Sequence, residues 1–162
     1  MKQTVYLLSG ISGSGKSTWV GKSKLESVST DELVEEYGQE RGYDYTQAFN
    51  EIQKLKLFGT LNSIFYDNIV DRLNTGRDFA IDRTSLNSKT RKELIEFIRT
   101  NNGDINVVVV YFDIDKDTII KRLKLREEKT GKGIPDFVID KQFENQEKPD
   151  DEEGYDAVIV VQ

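Results

Sequence analysis

Residues 10–17 read GISGSGKS and match the complete pattern G-x-x-x-x-G-K-[ST]. Glycines in such a loop let the backbone turn tightly, so that successive amide N–H groups point into one concavity that binds phosphate oxygens. Lys16 is placed to reach the β- and γ-phosphates of a nucleotide, and the Ser17 hydroxyl is placed to ligate the bridging magnesium ion. The pattern predicts a site for ATP or another nucleoside triphosphate. Its predicted binding residues are Gly10, Ser12, Gly13, Ser14, Gly15, Lys16, Ser17 and Thr18.

The composition limits the other chemistry that the chain could perform. Its 162 residues include no histidine and no cysteine. This excludes Ser-His-Asp triads, HExxH zinc sites, thiolate nucleophiles, disulfides and iron–sulfur clusters. A reaction on this chain must therefore use carboxylates, lysine, arginine, hydroxyl groups, backbone amides or a cation bound by oxygen atoms.

Charged residues outside the loop have the types that phosphoryl transfer requires. Asp31, at the start of a predicted helix, could accept the proton of an attacking hydroxyl group. Arg122 and Arg126 are four residues apart, so on a helix they project from one face and could neutralise charge on a migrating phosphoryl group. The alternative, left open by the sequence, is that both arginines only solvate a helix. The chain has no N-K-x-D segment to read guanine, which argues against a GTPase.

The formal charge of −6 is unevenly distributed along the chain. Residues 140–156 carry eight acidic and two basic groups, which accounts for the whole net charge. Residues 116–132 instead carry seven basic groups against three acidic ones. Such a local excess favours an anionic ligand, although a charged run is also typical of a solvated face. The acidic residues 150–153 are interpreted as a solvated loop.

Alternating short apolar runs and amphipathic segments indicate the elements that hold these residues. Strands are predicted over residues 5–8, 25–29, 79–81, 105–112 and 157–161. Helices are predicted over residues 16–24, from about Asp31, over 48–73 with an interruption at Gly59, and over 88–101, 115–129 and 135–146. This alternation predicts an α/β fold with a mainly parallel sheet. The aromatic stripe within residues 48–73 is interpreted as core rather than as a platform for stacking bases.

Length and hydropathy predict one domain over residues 1–162 with a lid at about 116–135. The longest apolar run, residues 107–112, is too short to span a bilayer. The N-terminal residues lack the length and cleavage site of a signal peptide. These observations predict a soluble, cytoplasmic protein without membrane contact.

The order of these motifs resembles the 5′-hydroxyl polynucleotide kinase domain of phage end-healing enzymes, within the wider group of small P-loop kinases. The matching segments are residues 10–19, 29–31, 81–87, 111–113, 121–126 and 134–135, which together extend through nearly the whole chain. The resemblance implies a three-layer fold with helices on both faces of a parallel sheet and an arginine-bearing lid. It also implies transfer of the ATP γ-phosphate to the 5′-hydroxyl of DNA or RNA, as in end repair, in the host cytoplasm if the protein is phage-encoded.

The resemblance assigns a role to each matching residue. Lys16 and Ser17 would bind ATP and magnesium, and Asp31 would be the general base. Arg126 would be the lid arginine on the ATP phosphates, with Arg122 beside it. Asp82 ends a predicted strand beside the loop, where it would either orient the loop or hold the hydrated magnesium ion.

One position departs from the family pattern. The family usually places an arginine three residues after the catalytic aspartate, where it grips a phosphate of the acceptor strand, whereas this chain has Val34. Arg83, after a predicted strand, could substitute for it. The departure leaves other alcohol acceptors open, namely a hydroxymethylated base in phage DNA, a nucleotide or a small metabolite. A switch protein that hydrolyses ATP slowly is the alternative from another class, and Asp31 and the two arginines argue against it.

Overall fold

The computed structural model describes residues 2–162 and contains a five-stranded parallel sheet with the order β2-β3-β1-β4-β5. The strands are β1 (Thr4–Ser9), β2 (Glu26–Ser29), β3 (Phe79–Asp82), β4 (Asn106–Phe112) and β5 (Ala157–Val161). The central strand β1 pairs Leu7 with Ile81 on one side and with Val109 on the other. The carboxyl ends of β1 and β3 therefore meet at one edge of the sheet, and the predicted α/β class is confirmed.

Helices cover both faces of this sheet. They are α1 (Lys16–Ser23), α2 (Thr30–Arg41), α3 (Tyr45–Lys54), α4 (Phe58–Thr75), α5 (Ser88–Asn101), α6 (Lys116–Thr130) and α7 (Asp136–Asn145), followed by a 3₁₀ turn, Asp151–Glu153. Val5 and Leu7 of β1 pack with α2 to α5, whereas Leu8 faces the other way and packs near Trp19 of α1. Because its side chains are buried on both faces, β1 has the continuous apolar sequence expected of a central parallel strand.

The predicted helix over residues 48–73 is instead two helices, and the break lies before Gly59 rather than at it. Lys56, between α3 and α4, has a φ of +58°. The turn lets Ile52 of α3 and Phe65 of α4 enter the same core. The apolar spacing continues across the turn, so periodicity alone did not reveal it.

The aromatic residues of this region divide between core and surface. Phe65 is fully buried, which confirms the core interpretation at that position. Phe49 is 38% exposed, so the same interpretation was wrong there. Its ring lies between those of Tyr45, 6.3 Å away, and Phe58, 5.1 Å away. The exposed edge of this aromatic group lies on α3, the helix that follows α2.

The interpretation of residues 150–153 as a solvated loop holds for the exposed Asp150, Asp151 and Glu152 but was wrong for Glu153. Asp150 caps the 3₁₀ turn Asp151–Glu153, in which the Glu153 side chain is buried and accepts a hydrogen bond from the Asp150 N–H. A buried arginine, Arg91, provides the opposite charge. The acidic run therefore contains a core residue, since a carboxylate can be buried when it is paired.

Within residues 2–162, no helix is long and apolar enough to cross a membrane.

Candidate active site

The loop at residues 10–15 joins the end of β1 to the first turn of α1. Gly13 and Gly15 have φ values of +83° and +103°, which favour glycine. A Cβ atom on Gly10 would lie 2.6 Å from the Ser14 Oγ and 2.8 Å from the Phe112 Cβ. One on Gly13 would lie 2.9 Å from Leu123 of α6. The glycines thus permit both the backbone turn and close packing against β4 and α6.

Lys16 lies at the mouth of this loop. Its Nζ donates hydrogen bonds to the carbonyl oxygens of Gly10, at 2.9 Å, and Ile11, at 3.0 Å. The pKa of Lys16 is lowered to about 8, chiefly by burial; the carboxylates of Asp82 and Asp31 oppose this shift, and the positive charge of Arg126 adds to it. Two carboxylates and Arg126 of α6 are therefore close enough to Lys16 to act on its charge.

Ser17 and Asp82 bring two oxygen ligands together beside the loop. The Ser17 Oγ donates a hydrogen bond of 3.1 Å to the Asp82 Oδ2. Neighbouring ligands of an octahedral magnesium ion lie about 2.9 Å apart at the usual metal–oxygen distance. Burial raises the pKa of Asp82, while the Lys16 ammonium and the Ser17 hydroxyl oppose this shift. The pair fits a magnesium ion whose remaining ligands are water and phosphate oxygens.

No cluster of three or more histidine, cysteine, aspartate or glutamate residues able to hold a metal occurs within residues 2–162. A magnesium ion here would thus need the nucleotide as a partner, as is usual for this ion. Unpartnered polar atoms in the loop and on α6 fit such a nucleotide. The Ser14 Oγ and the Arg126 Nε are buried without a hydrogen-bond partner, and both residues line the same cleft.

Helix α6 places both predicted arginines on this cleft, which has a volume of about 950 Å³. The Arg122 guanidinium donates a hydrogen bond of 3.1 Å to the Ser14 carbonyl oxygen. Arg126, one helical turn later, is partly buried and lies near Lys16. Asp115 caps the helix by accepting a hydrogen bond from the Thr118 N–H at 3.0 Å. The arginines therefore share one face of α6, as their spacing predicts, and that face lines the cleft.

Asp31 lies in the first turn of α2 and lines this cleft. Ser29 caps the helix, since its side chain accepts a hydrogen bond from the Glu32 N–H. The Asp31 Oδ1 accepts a hydrogen bond of 2.8 Å from the Tyr45 hydroxyl. The cap and the tyrosine fix the position of a carboxylate on the cleft wall.

The sequence matches the profile of an AAA domain over residues 5–149, which include the loop, Asp31, Asp82 and the arginines of α6. The chain belongs to this AAA domain family. No curated protein matches it in sequence. The family and the architecture support phosphotransfer of the P-loop kinase type, while the resemblance to phage end-healing enzymes in particular stays a prediction.

Solved structures share the fold of this AAA domain. A kinase candidate from Chloroflexus aurantiacus J-10-fl is 13% identical with a TM-score of 0.71, and the match covers 99% of this chain and 85% of that one. A gluconokinase from Sinorhizobium meliloti 1021 is 17% identical with a TM-score of 0.53, covering 98% and 81%. A chain of the Pnkp1/Rnl/Hen1 RNA repair complex is 19% identical with a TM-score of 0.67, covering 89% and 44%. At these identities the likeness is one of fold.

The AAA domain places the loop residue Ser12 differently from a simple phosphate ligand. The Ser12 N–H donates a hydrogen bond of 2.9 Å to the Gln142 Oε1, and the Gln142 Nε2 donates one of 3.1 Å to the Ser12 Oγ. Ser12 is therefore held by α7, a contact that no sequence pattern indicated. Thr18, also predicted to bind nucleotide, is exposed and lines the cleft.

Arg91 and Glu153 form a buried ion pair behind the phosphate-binding loop, and sequence reasoning missed both. The Arg91 Nε and Nη2 donate hydrogen bonds of 2.7 Å and 3.0 Å to the Glu153 carboxylate. The Arg91 Nη1 donates to the Ser9 Oγ and to the carbonyl oxygens of Ser85 and Leu86. Ser85 has a φ of +41°, which is uncommon for a serine. The pair thus holds two segments together: Ser9, which precedes the phosphate loop, and Ser85 and Leu86, which follow β3.

The position that departs from the family pattern lies in the core of the AAA domain. Val34 is 1% exposed and belongs to the main hydrophobic cluster, so it does not reach the cleft. Arg83 does line the cleft, with its guanidinium carbon 4.4 Å from the centre of the Phe65 ring. Lys132, which follows α6, lines the cleft as well. The cleft therefore has three cations beyond those of the loop and α6, since Lys22 of α1 lines it as well.

Proposed function

We propose that this protein is a magnesium- and ATP-dependent kinase that transfers the γ-phosphate to the 5′-hydroxyl of a DNA or RNA strand. One observation carries the proposal. The Asp31 carboxylate lies on the same cleft as the phosphate-binding lysine and the lid arginines, and it is close enough to oppose the lowering of the Lys16 pKa. A proton acceptor and a phosphate-binding loop around one cleft are the parts that transfer to a hydroxyl requires.

On the donor side, the chain positions the triphosphate and stabilises its charge. The amides of the glycine loop and the positive end of α1 bind the phosphate oxygens, and Lys16 contributes a full charge. Ser17 and Asp82 would hold magnesium, which supplies charge neutralisation between the β- and γ-phosphates when bound. Arg126 stabilises the negative charge of the transferred group from the lid, an effect typically worth about 10³- to 10⁵-fold in rate.

On the acceptor side, Asp31 removes the proton of the attacking hydroxyl group. As the new bond forms between the acceptor oxygen and the γ-phosphorus, the bond from that phosphorus to the β–γ bridging oxygen breaks. The leaving group is ADP, and the proton resides on the Asp31 carboxylate. The base must be within hydrogen-bond reach of the hydroxyl, which its place on the cleft wall allows.

Arg83 supports a strand as the acceptor. Its guanidinium lies on the cleft and forms no ion pair with a carboxylate within residues 2–162. Stacking on Phe65 leaves its N–H groups available for a phosphate oxygen. Arg83 would thus contact a phosphate of the strand in place of the arginine missing at Val34. A chain of an RNA repair complex has the same fold, although the identity of 19% carries no substrate assignment.

A small alcohol without phosphate groups is the second candidate acceptor. The start of α2 carries Asp31, Glu32, Glu35 and Glu36, and these carboxylates disfavour a polyanion beside Asp31. The buried Val34 offers no positive charge against them. A gluconokinase has the same fold, although the identity of 17% carries no substrate assignment.

A labelling experiment separates the candidates. The protein, magnesium and γ-labelled ATP are incubated with 5′-hydroxyl DNA and RNA strands, with 5′-blocked strands that contain hydroxymethyluracil, and with nucleosides and gluconate. We expect label on the 5′-hydroxyl strands alone. Label only on blocked strands or small alcohols would overturn the strand assignment, and equal ATP consumption without any acceptor would indicate a switch protein.

Arg83→Gln provides a matched variant for this experiment. Because it removes one phosphate contact, we expect the KM for a strand to rise about tenfold. The slope of the logarithm of the strand binding constant against the logarithm of the salt concentration (the salt slope) should fall in magnitude by about one. Arg77→Gln, outside the cleft, serves as the control. An unchanged salt slope in Arg83→Gln would remove Arg83 from the acceptor site.

A further inference from the structure

The Tyr45 hydroxyl is the one hydrogen-bond donor to the Asp31 carboxylate within residues 2–162. Tyr45 begins α3, and Asp31 lies in the first turn of α2, so the bond of 2.8 Å joins the two helices at the cleft. It engages the Asp31 Oδ1 and leaves the Oδ2 for another partner. Burial and the nearby Asp31 carboxylate raise the pKa of Tyr45 well above its usual range. The phenol therefore remains a donor at neutral pH.

The lid reaches the same tyrosine. The Lys132 Nζ lies 4.6 Å from the centre of the Tyr45 ring and forms an ion pair with Glu35 of α2. Phe49 stacks on the ring as well, with an interplanar angle of 25°. Tyr45 is thereby held by the lid segment and by its own helix.

We propose that Tyr45 is a positioning residue for Asp31 and that Lys132 holds Tyr45 in place when the lid covers the cleft. This inference rests on the proposed function, because it assigns a purpose to the orientation of the general base. An aspartate near a helix start rotates about two side-chain torsions, and a charge-assisted hydrogen bond to one oxygen restricts both. The second oxygen is then directed to the acceptor hydroxyl group.

Tyr45→Phe tests this role, because it removes the hydroxyl and keeps the ring. Tyr37→Phe is a matched control, since the Tyr37 hydroxyl also donates a 2.8 Å hydrogen bond from one of these helices to a carboxylate on the other, that of Glu51. We expect Tyr45→Phe to lower kcat about tenfold, while the KM for ATP and the KM for the acceptor stay within about twofold of wild type. The kcat of Tyr37→Phe should stay within about twofold. If the two variants lower kcat by the same factor, the Tyr45 hydrogen bond only joins the two helices and the positioning role is wrong.

Lys132→Met tests the contribution of the lid, with Lys129→Met as the control. We expect Lys132→Met to lower kcat by about threefold. We also expect Tyr45→Phe to lower kcat by a smaller factor in the Lys132→Met background than in the wild-type protein. Independent, multiplicative effects of the two changes would overturn the coupling between Lys132 and Tyr45.

The Asp31→Asn background separates this inference from the proposed function. If Asp31→Asn abolishes transfer and Tyr45→Phe leaves kcat unchanged, the base assignment holds and the positioning role is wrong. If Asp31→Asn retains transfer, the base assignment on which this inference rests is wrong, whereas the proposed function fails only if the wild-type protein does not label 5′-hydroxyl strands. If Tyr45 acts through Asp31, adding Tyr45→Phe to Asp31→Asn causes no further loss. The slow transfer of the γ-phosphate to water gives a readout of all three variants that does not depend on the acceptor.

Discussion

Arg91→Met should destabilise the protein more than most single substitutions. The change leaves the Glu153 carboxylate buried without its charged partner, and it removes the hydrogen bonds to Ser9, Ser85 and Leu86. Both side chains of the pair are completely buried. Water therefore does not replace the lost interactions without local opening of the structure.

The magnitude follows from the burial of the pair. Breaking a buried ion pair by removing one partner costs about 3–5 kcal/mol. The entropy of unfolding is about 2.1 cal/mol/K per residue, which gives about 0.34 kcal/mol/K for 162 residues. Dividing the free energy by this entropy predicts a fall in Tm of about 9–15 °C.

Thermal unfolding followed by circular dichroism measures this change. The control is Lys2→Met, which breaks the pair with Asp104, whose two side chains are 63% and 82% exposed. This surface pair contributes about 1 kcal/mol or less, so Tm should fall by no more than about 3 °C. The double variant Arg91→Met/Glu153→Leu should recover at least half of the loss, because it leaves no unpaired charge. An Arg91→Met variant that melts within about 3 °C of wild type would refute this account of the core.

Other perturbations act on the cleft. The kcat/KM for ATP should fall as pH rises through about 8, because Lys16 loses its positive charge there, and a pH series in constant ionic strength measures this. Ser17→Ala should raise the magnesium concentration for half-maximal rate about tenfold, since it removes one of two protein oxygens, whereas Ser23→Ala on the same helix should not. Arg126→Ala should lower kcat about a thousandfold with the KM for ATP within about threefold, and Lys129→Ala should have little effect. A kcat/KM that does not fall near pH 8 would contradict the role of the Lys16 charge. An unchanged magnesium requirement in Ser17→Ala would contradict Ser17 as a ligand, and an unchanged kcat in Arg126→Ala would contradict its role in transfer.

Local features of the sequence predicted the parallel sheet and the phosphate-binding loop. The loop pattern is contiguous, and the run over residues 107–112 is apolar because both faces of β4 are buried. The spacing of Arg122 and Arg126 likewise predicted a common face, since helix geometry determines it. These features depend on neighbours in sequence, so they could be read without the structure.

Contacts between distant segments could not be predicted in the same way. Glu153 lies in an acidic run that looks solvated, and only Arg91, 62 residues away, explains its burial. Val34 stands three residues after Asp31, where the family has an active-site arginine, but its side chain faces the core. The reason is that α2 packs its apolar side on α3 and α4. The break before Phe58 depends on a left-handed residue, Lys56, that propensity does not reveal. Tyr45 carries no motif at all, and only packing brings its hydroxyl to the cleft.

Transfer from γ-labelled ATP by Asp31→Asn, measured beside ATP binding by calorimetry, tests whether this cleft performs phosphoryl transfer with Asp31 as its base. Asp67→Asn, an exposed change on α4, serves as the control. We predict that Asp31→Asn lowers transfer to the acceptor by at least about 100-fold while the Kd for ATP stays within about threefold of wild type. Transfer at the wild-type rate, or an equal loss of ATP binding, would contradict the assignment of Asp31 as the general base.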